Sequence, residues 1–110
     1  MGNPDRTLMA LGLCARARRL IAGTPQICEA LRQRVRPVLV LVAADASENT
    51  AKRLCGKCAF YQVRLVTLSV DADRLSGAIG KTGRVAAVAI TDEHLCRLVT
   101  DTLTVEEHNV

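Results

Sequence analysis

Two runs, Val38-Leu39-Val40-Leu41-Val42-Ala43 and Val85-Ala86-Ala87-Val88-Ala89-Ile90, carry an apolar side chain at every position. Successive side chains of a strand point to opposite faces, so an unbroken apolar strand needs cover on both sides. The two runs therefore read as interior strands with helices above and below. The first is rich in β-branched residues and belongs at the centre of a sheet.

The remaining pattern supplies those helices. From Asp5 to about Arg18, Leu8, Leu11 and Ala15 recur at helical spacing, with Arg16 and Arg18 elsewhere on the turn. Leu20-Ile21-Ala22 forms a short strand that ends at Gly23. Thr24-Pro25 then opens a second helix, because Thr caps free amides and Pro is preorganised for the first turn. This helix is expected to carry Ile27, Leu31 and Val35 inward, to project Gln26, Glu29 and Gln33 from another face, and to end at Arg36-Pro37. After the central strand, Ser47 caps a helix running to about Cys58, with Ala51, Leu54, Cys55 and Cys58 inside.

Tyr61-Gln62 turns into a third strand, Arg64 to Leu68. Asp71 starts a helix whose Leu75, Ala78 and Ile79 share one face, and Gly80 falls where a left-handed cap is wanted. Thr91 or Asp92 caps a last helix with Leu95, Leu98 and Val99 inward. The order α-β-α-β-α-β-α-β-α implies an α/β/α three-layer sandwich around a short four-stranded sheet. Helical crossovers favour parallel pairing, while the abbreviated first strand could pair either way, so the sheet is expected to be mixed. One domain accounts for residues 1–110, with 1–4 and 104–110 as loose ends.

Several functions are excluded early. No apolar run is long enough to span a membrane and no signal-peptide pattern opens the chain, so a cytoplasmic location is expected. With Phe60 and Tyr61 as the only aromatic residues, a broad base-stacking sheet is not expected. Gly80-Lys81-Thr82 imitates the end of a phosphate-binding P-loop, but the first glycine of that motif would fall at Leu75. The element order is also helix, loop, strand, the reverse of what that motif needs.

Five cysteines, an odd number, argue against a disulfide framework. Cys55-Gly56-Lys57-Cys58 lacks a second ligand pair for zinc and sits late in a helical pattern, unlike a thioredoxin-type pair, so it reads as core packing. No nucleophile with a base and no paired carboxylates emerge. No enzyme activity, cofactor or metal is expected.

Charge is more informative. The formal net charge is +4. Residues 1–37 hold seven arginines against Asp5 and Glu29, a local +5, whereas residues 71–110 hold four cations against seven acids, a local −3. Arginine in place of lysine suits phosphate and base-edge contacts, because guanidinium binds them with a planar fork. The polar glycine-containing loops at Ala22 to Gln26 and Gly80 to Val85 are the ends most able to form a site.

The order of several short motifs carries a resemblance. Leu11-Gly12-Leu13 is followed by Arg18-Arg19, and Gly23-Thr24 opens the second helix. Asp45-Ala46-Ser47-Glu48-Asn49-Thr50 follows the central strand, then come Lys57-Cys58, Leu75-Ser76-Gly77-Ala78-Ile79-Gly80-Lys81 and Ala86 to Asp92. Over about residues 7–99 the chain resembles the kink-turn RNA-binding ribosomal protein superfamily of the archaeal L-seven-Ae and L-thirty-e type. Within it, the bacterial YlxQ-like and YbxF-like branch is the nearest.

That resemblance implies an α/β/α sandwich in which the start of the second helix and the last helix-to-strand loop lie adjacent and clamp a kinked RNA. The helix start would read tandem sheared G·A pairs, and the loop would pack against a splayed-out nucleotide. Carried onto this chain, the RNA-binding residues would be Gly23, Thr24 and Gln26 at the helix mouth and Lys81, Thr82, Arg84 and Val85 in the loop, with Arg19 extending the phosphate contacts. The family's Gly-x-Asn-Glu-x-x-Lys is here Gly23-Thr24-Pro25-Gln26-Ile27-Cys28-Glu29, so Gln26 stands for Glu, Pro25 for Asn and Glu29 for Lys. The implied partner is a structured RNA, ribosomal or in an mRNA leader, bound by a monomer at or near the ribosome. The open alternative is a protein-interaction module on the same fold that has lost specific RNA binding.

Overall fold

The computed structural model describes residues 2–103 and residue 107. Within them the chain forms α1 (Pro4–Arg16), β1 (Leu20–Ala22), α2 (Thr24–Leu31), β2 (Leu39–Val42), α3 (Glu48–Tyr61), β3 (Arg64–Thr67), α4 (Ala72–Ala78), β4 (Ala87–Ile90) and α5 (Glu93–Thr100). The four strands form one sheet in the order β1-β4-β2-β3. Strands β2 and β4, cores of the two apolar runs, are its interior pair, aligned antiparallel with Leu41 opposite Val88, and buried at every position.

The alternation of side chains divides the core into two layers. Leu39, Leu41, Val88 and Ile90 point into one layer with Leu11, Cys14, Leu75 and Val99, so α1, α4 and α5 cover that face. Val40, Val42, Ala87 and Ala89 point into the other with Ile27, Leu31, Leu54 and Cys58, so α2 and α3 cover the opposite face. Small side chains at Ala87 and Ala89 let α2 approach the sheet closely. The result is the three-layer α/β/α sandwich, with a mixed sheet.

Pairing directions follow from helix lengths. β3 lies parallel to β2, whereas β4 runs antiparallel to both β1 and β2. A parallel return needs a crossover that carries the chain back along the sheet. Helix α4 has seven residues, about 10 Å, and it begins and ends at one edge. The Ala44 N–H donates to Val70 O before it, and the Ala43 N–H donates to Ala86 O after it, both at 2.8 Å. The chain therefore re-enters the sheet from the edge where β2 leaves, and β4 must run the other way.

Helix caps match the residues that favour them. Ser47, Asp71 and Asp92 each accept a first-turn N–H, from Thr50, Arg74 and Leu95 respectively. Helix α4 ends in paired bonds from the Gly80 N–H to Gly77 O and from the Lys81 N–H to Ser76 O, with Gly80 at φ +74°. That geometry is the left-handed stop that favours glycine.

Three expectations need correction. Helix α2 ends at Leu31 rather than at Arg36, and Val35, expected inside, is 88% exposed. Helical spacing simply continued across a turn that is no longer helix. Helix α3 runs on to Tyr61 with Gln62 left-handed at its cap, and Cys55, expected in the core, is exposed. Leu98, expected inward, is 43% exposed, because α5 turns the Leu95, Cys96 and Val99 side toward the core.

The amino end is bonded to the rest of the fold. Asn3 caps α1 through bonds from the Asp5 and Arg6 N–H groups, and its own N–H donates to Thr102 O at 2.8 Å. The Thr7 and Thr102 hydroxyls, 2.6 Å apart, join α1 to the end of α5. Of the expected loose tail, residues 104–106 and 108–110 lie outside the described residues, while Glu107 is buried and accepts the Ser69 N–H at 2.6 Å.

Candidate nucleic-acid interface

The edge where β1 and β2 leave the sheet and β4 enters it gathers the two glycine-containing loops. Gly23 leaves β1 at φ +100° and its N–H donates to Ala87 O at 3.0 Å. Because Ala86 O accepts the Ala43 N–H, the starts of the β1–α2 and β2–α3 connections both hang from the two residues that end the α4–β4 loop. Two segments about sixty residues apart in sequence meet there through main-chain bonds. Side-chain substitution cannot easily remove that contact.

Helix α2 presents a bare start. Its N-cap is Gly23, and no side chain accepts the first-turn N–H groups. Thr24 and Gln26 thus bring main-chain donors, at the positive end of a helix, without a protein side-chain acceptor. The Gln26 side chain folds back over Gly23, where a Cβ would lie 2.5 Å from its Oε1. A Cβ there would push that flexible carboxamide aside, and the positive φ is what favours glycine. Glu29, which stands where the related motif has a cation, is drawn along the helix instead by Arg32 Nη1 at 3.5 Å and Gln33 Nε2 at 3.0 Å.

The α4–β4 loop is held from inside. Ser76, buried in α4, donates its hydroxyl to Ala72 O at 2.8 Å and accepts the Val85 N–H at 2.7 Å. Val85 is half-buried against the core, while Lys81, Thr82 and Gly83 form the exposed tip, with Gly83 at φ +82°. Arg84 turns away from the tip toward Asp45, donating at 2.7 Å to its carbonyl and at 3.3 Å to its carboxylate. The other Asp45 carboxylate oxygen accepts the Ala72 N–H at 2.8 Å. That bond, with help from the Arg84 guanidinium, holds the Asp45 carboxyl below its ordinary range.

Beside the α4–β4 loop, and reaching the end of β1, lies an open concavity of about 390 Å³ lined by Ala15, Arg18, Leu20, Ala22, Ile79, Gly80 and Lys81. A second concavity, bounded by Gly12, Arg16, Gly77 and Gly80, adjoins it along α1 and α4. Three exposed cations, Arg16, Arg18 and Lys81, border this surface. Exposed cations around a shallow, mostly polar hollow can follow a phosphate backbone.

The structure thus brings Gly23, Thr24, Gln26, Lys81, Thr82 and Val85 to one edge of the sheet. Arg84 is there too, but committed to Asp45. Arg19 is not: it sits at the opposite end of β1, where its carbonyl accepts the Thr91 N–H at 3.0 Å and its charge acts on Asp92. Arg18 takes the place expected of Arg19, because a left-handed residue at φ +59° turns the chain after α1. The Arg18-Arg19 pair was the available signal, and only the backbone decides which member faces the hollow. Ser76 and Asp45, which build the loop from beneath, gave no sign in sequence of their bonding partners.

The thiols stand apart from this surface. Burial pushes the Cys14 and Cys58 thiols up to about 11, which leaves little thiolate at neutral pH. Among the described residues, no group of three or more His, Cys, Asp or Glu side chains could hold a metal ion, and no helix is long and apolar enough to cross a membrane.

Comparison with known proteins agrees with this architecture. RNA-binding protein YlxQ of Bacillus subtilis (strain 168) is 41% identical over 83 residues, covering 76% of this chain and 80% of its own. RNA-binding protein YlxQ of Enterococcus faecium is 33% identical over 87 residues, covering 79% and 82%. A Bacillus halodurans protein of unknown function superposes with a TM-score of 0.79 at 31% identity, covering 88% of this chain and 95% of its own. The Giardia lamblia 15.5kD RNA binding protein shares the fold at a TM-score of 0.73 and 20% identity, covering 86% and 79%. The pattern of one family matches residues 5–99. The chain belongs to the ribosomal protein L7Ae/L30e/S12e/Gadd45 family.

Proposed function

We propose that the chain is a non-catalytic RNA-binding protein that recognises a kink-turn or a related structured RNA. It acts as a cytoplasmic monomer at or near the ribosome, on ribosomal RNA or an mRNA leader. The observation that carries this reading is the bond from the Gly23 N–H to Ala87 O, which sets the bare start of α2 beside the loop that carries Lys81. Both YlxQ relatives are named as RNA-binding proteins.

In this reading Thr24 and Gln26 supply donors to base edges and phosphate, as uncapped helix starts do. Gly23 lets the backbone approach, and the Gln26 carboxamide can both donate and accept across a G·A pair. Lys81 and Thr82 meet the phosphate backbone, and Val85 supports the loop against an unstacked base. Arg18 joins them from the far wall of the hollow. Arg84 shapes the loop through Asp45, and Arg19 adds only long-range charge.

The test is a titration of a labelled kink-turn RNA and of the same RNA with its G·A pairs disrupted. Preference for the intact RNA, weakened by Gln26→Ala and by Lys81→Glu, is the expected result. Equal affinity for both RNAs would leave only nonspecific binding. Indifference to Lys81→Glu, together with co-purification of a protein, would favour an interaction module instead.

A further inference from the structure

The pole farthest from this hollow carries a second surface of nucleic-acid-binding character. Helices α2 and α3 both start from the end of the sheet where β1 and β2 leave it, and α3, at 14 residues, carries the chain about 20 Å toward the other end. There the two aromatic residues of the chain meet: the Phe60 and Tyr61 rings pack edge to face with centroids 4.9 Å apart. Phe60 is 79% exposed, so most of its ring is open to solvent.

One arginine packs on the pair, and others lie on the elements that carry it. The Arg36 guanidinium lies 4.8 Å over the Tyr61 ring, and its Nε donates to Leu31 O at 2.9 Å, which fixes the turn after α2. Arg32 and Arg34 are exposed on that same turn. On α3, Arg53, Lys57 and Phe60 recur at i, i+4 and i+7, so they share one stripe. Gly56 lies beside this stripe with open space where a side chain would be. The nearest acid on α2, Glu29, is already held by Arg32.

We infer that this pole is a second RNA contact, which takes an unpaired segment by stacking a base on Phe60 while the arginines hold its phosphates. Exposed aromatic rings bind any base through its π-face, and flanking guanidinium groups neutralise the backbone. An apolar protein surface fits less well, because exposed cations flank the ring; an acidic peptide would meet those cations but leave the exposed Phe60 ring unstacked. The protein would then bridge two RNA elements about a helix length apart. This inference does not depend on what the hollow recognises.

The test uses the full chain and a fluorescein-labelled oligouridylate of about 12 nucleotides, long enough for one binding surface. Phe60→Ala should weaken binding roughly 5- to 100-fold, the loss expected from one stacked base, and Phe60→Trp should restore it. Arg34→Glu should weaken binding and flatten its salt dependence, whereas Lys81→Glu should change oligouridylate affinity less than either. Phe60 and Arg34 are exposed, and unchanged melting of these variants will confirm that the fold is intact. The inference is overturned if wild-type protein does not bind oligouridylate, if Phe60→Ala binds like wild type, or if Lys81→Glu has the larger effect. Binding of a polyglutamate peptide through Phe60 in place of the RNA would equally overturn it and make the pole a protein contact.

Discussion

Asp45 and Arg84, 39 positions apart, are joined twice: the guanidinium reaches both the carbonyl and the carboxylate of the aspartate. Through the bond from the Ala72 N–H, the same aspartate also steadies the start of α4. The loop proposed to touch RNA is therefore latched at its carboxyl end twice, by this pair and by the Ser76 hydroxyl that accepts the Val85 N–H.

This latch should titrate. A carboxyl held below its ordinary range stabilises the fold above its unfolded-state pKa, and that contribution fades as pH falls through the folded-state value. Urea midpoints measured from about pH 6 down to about pH 3 should therefore fall more steeply for wild type than for Asp45→Asn. Identical slopes would mean that the aspartate does not support the loop.

Removing the other latch should cost stability directly. Ser76→Ala leaves the part-buried Val85 N–H without its acceptor, a loss of about 1–3 kcal/mol. Chemical denaturation will show it, and amide exchange at Val85 should accelerate before that of β4. A change below about 0.5 kcal/mol, with Val85 still protected, would contradict the geometry.

Gly23→Ala combines two faults. Its φ of +100° is strained for any residue with a Cβ, and that Cβ would displace the flexible Gln26 carboxamide. A destabilisation of about 1–2 kcal/mol is expected. RNA affinity should fall further than stability requires, because Gln26 must leave the mouth. Thermal melting and RNA titration of the same preparation separate the two effects.

Salt dependence tests the phosphate contacts. Engagement of about four phosphates gives a slope of log K on log salt near −3 to −4. Arg18→Ala should reduce that slope by about 1, whereas Arg19→Ala should leave it nearly unchanged. The reverse order would mean that the outer end of β1 is the binding surface.

Much of this architecture could be read from residues whose local preference and tertiary role agree. The apolar runs at β2 and β4, the caps at Ser47, Asp71 and Asp92, and the left-handed stop at Gly80 are of this kind. Failures arose where spacing outlived the element that justified it. Val35 continues the stripe of Ile27 and Leu31, yet the helix has already ended, so periodicity pointed a residue inward that lies in a turn. Pro37 marks an outer limit to α2, and the helix stops five residues short of Arg36.

The candidate site was legible as two loops but not as a bonded structure. Arg84 looked like a phosphate ligand because charge and position are visible in a sequence, while its partner 39 residues away is not. Arg18 and Arg19 were equivalent until the backbone turned between them. Pairings of this kind depend on which strands become neighbours, and only the assembled sheet decides that.

The central claim is that the start of α2 and the α4–β4 loop act as one RNA-binding surface. Amide chemical-shift mapping of the labelled protein against a kink-turn RNA tests it most directly. Thr24, Gln26, Lys81 and Gly83 should shift together, at the same RNA concentration, and should not move with the G·A-disrupted RNA. Shifts confined to one of the two segments, or appearing only around Arg19 and α5, would contradict it.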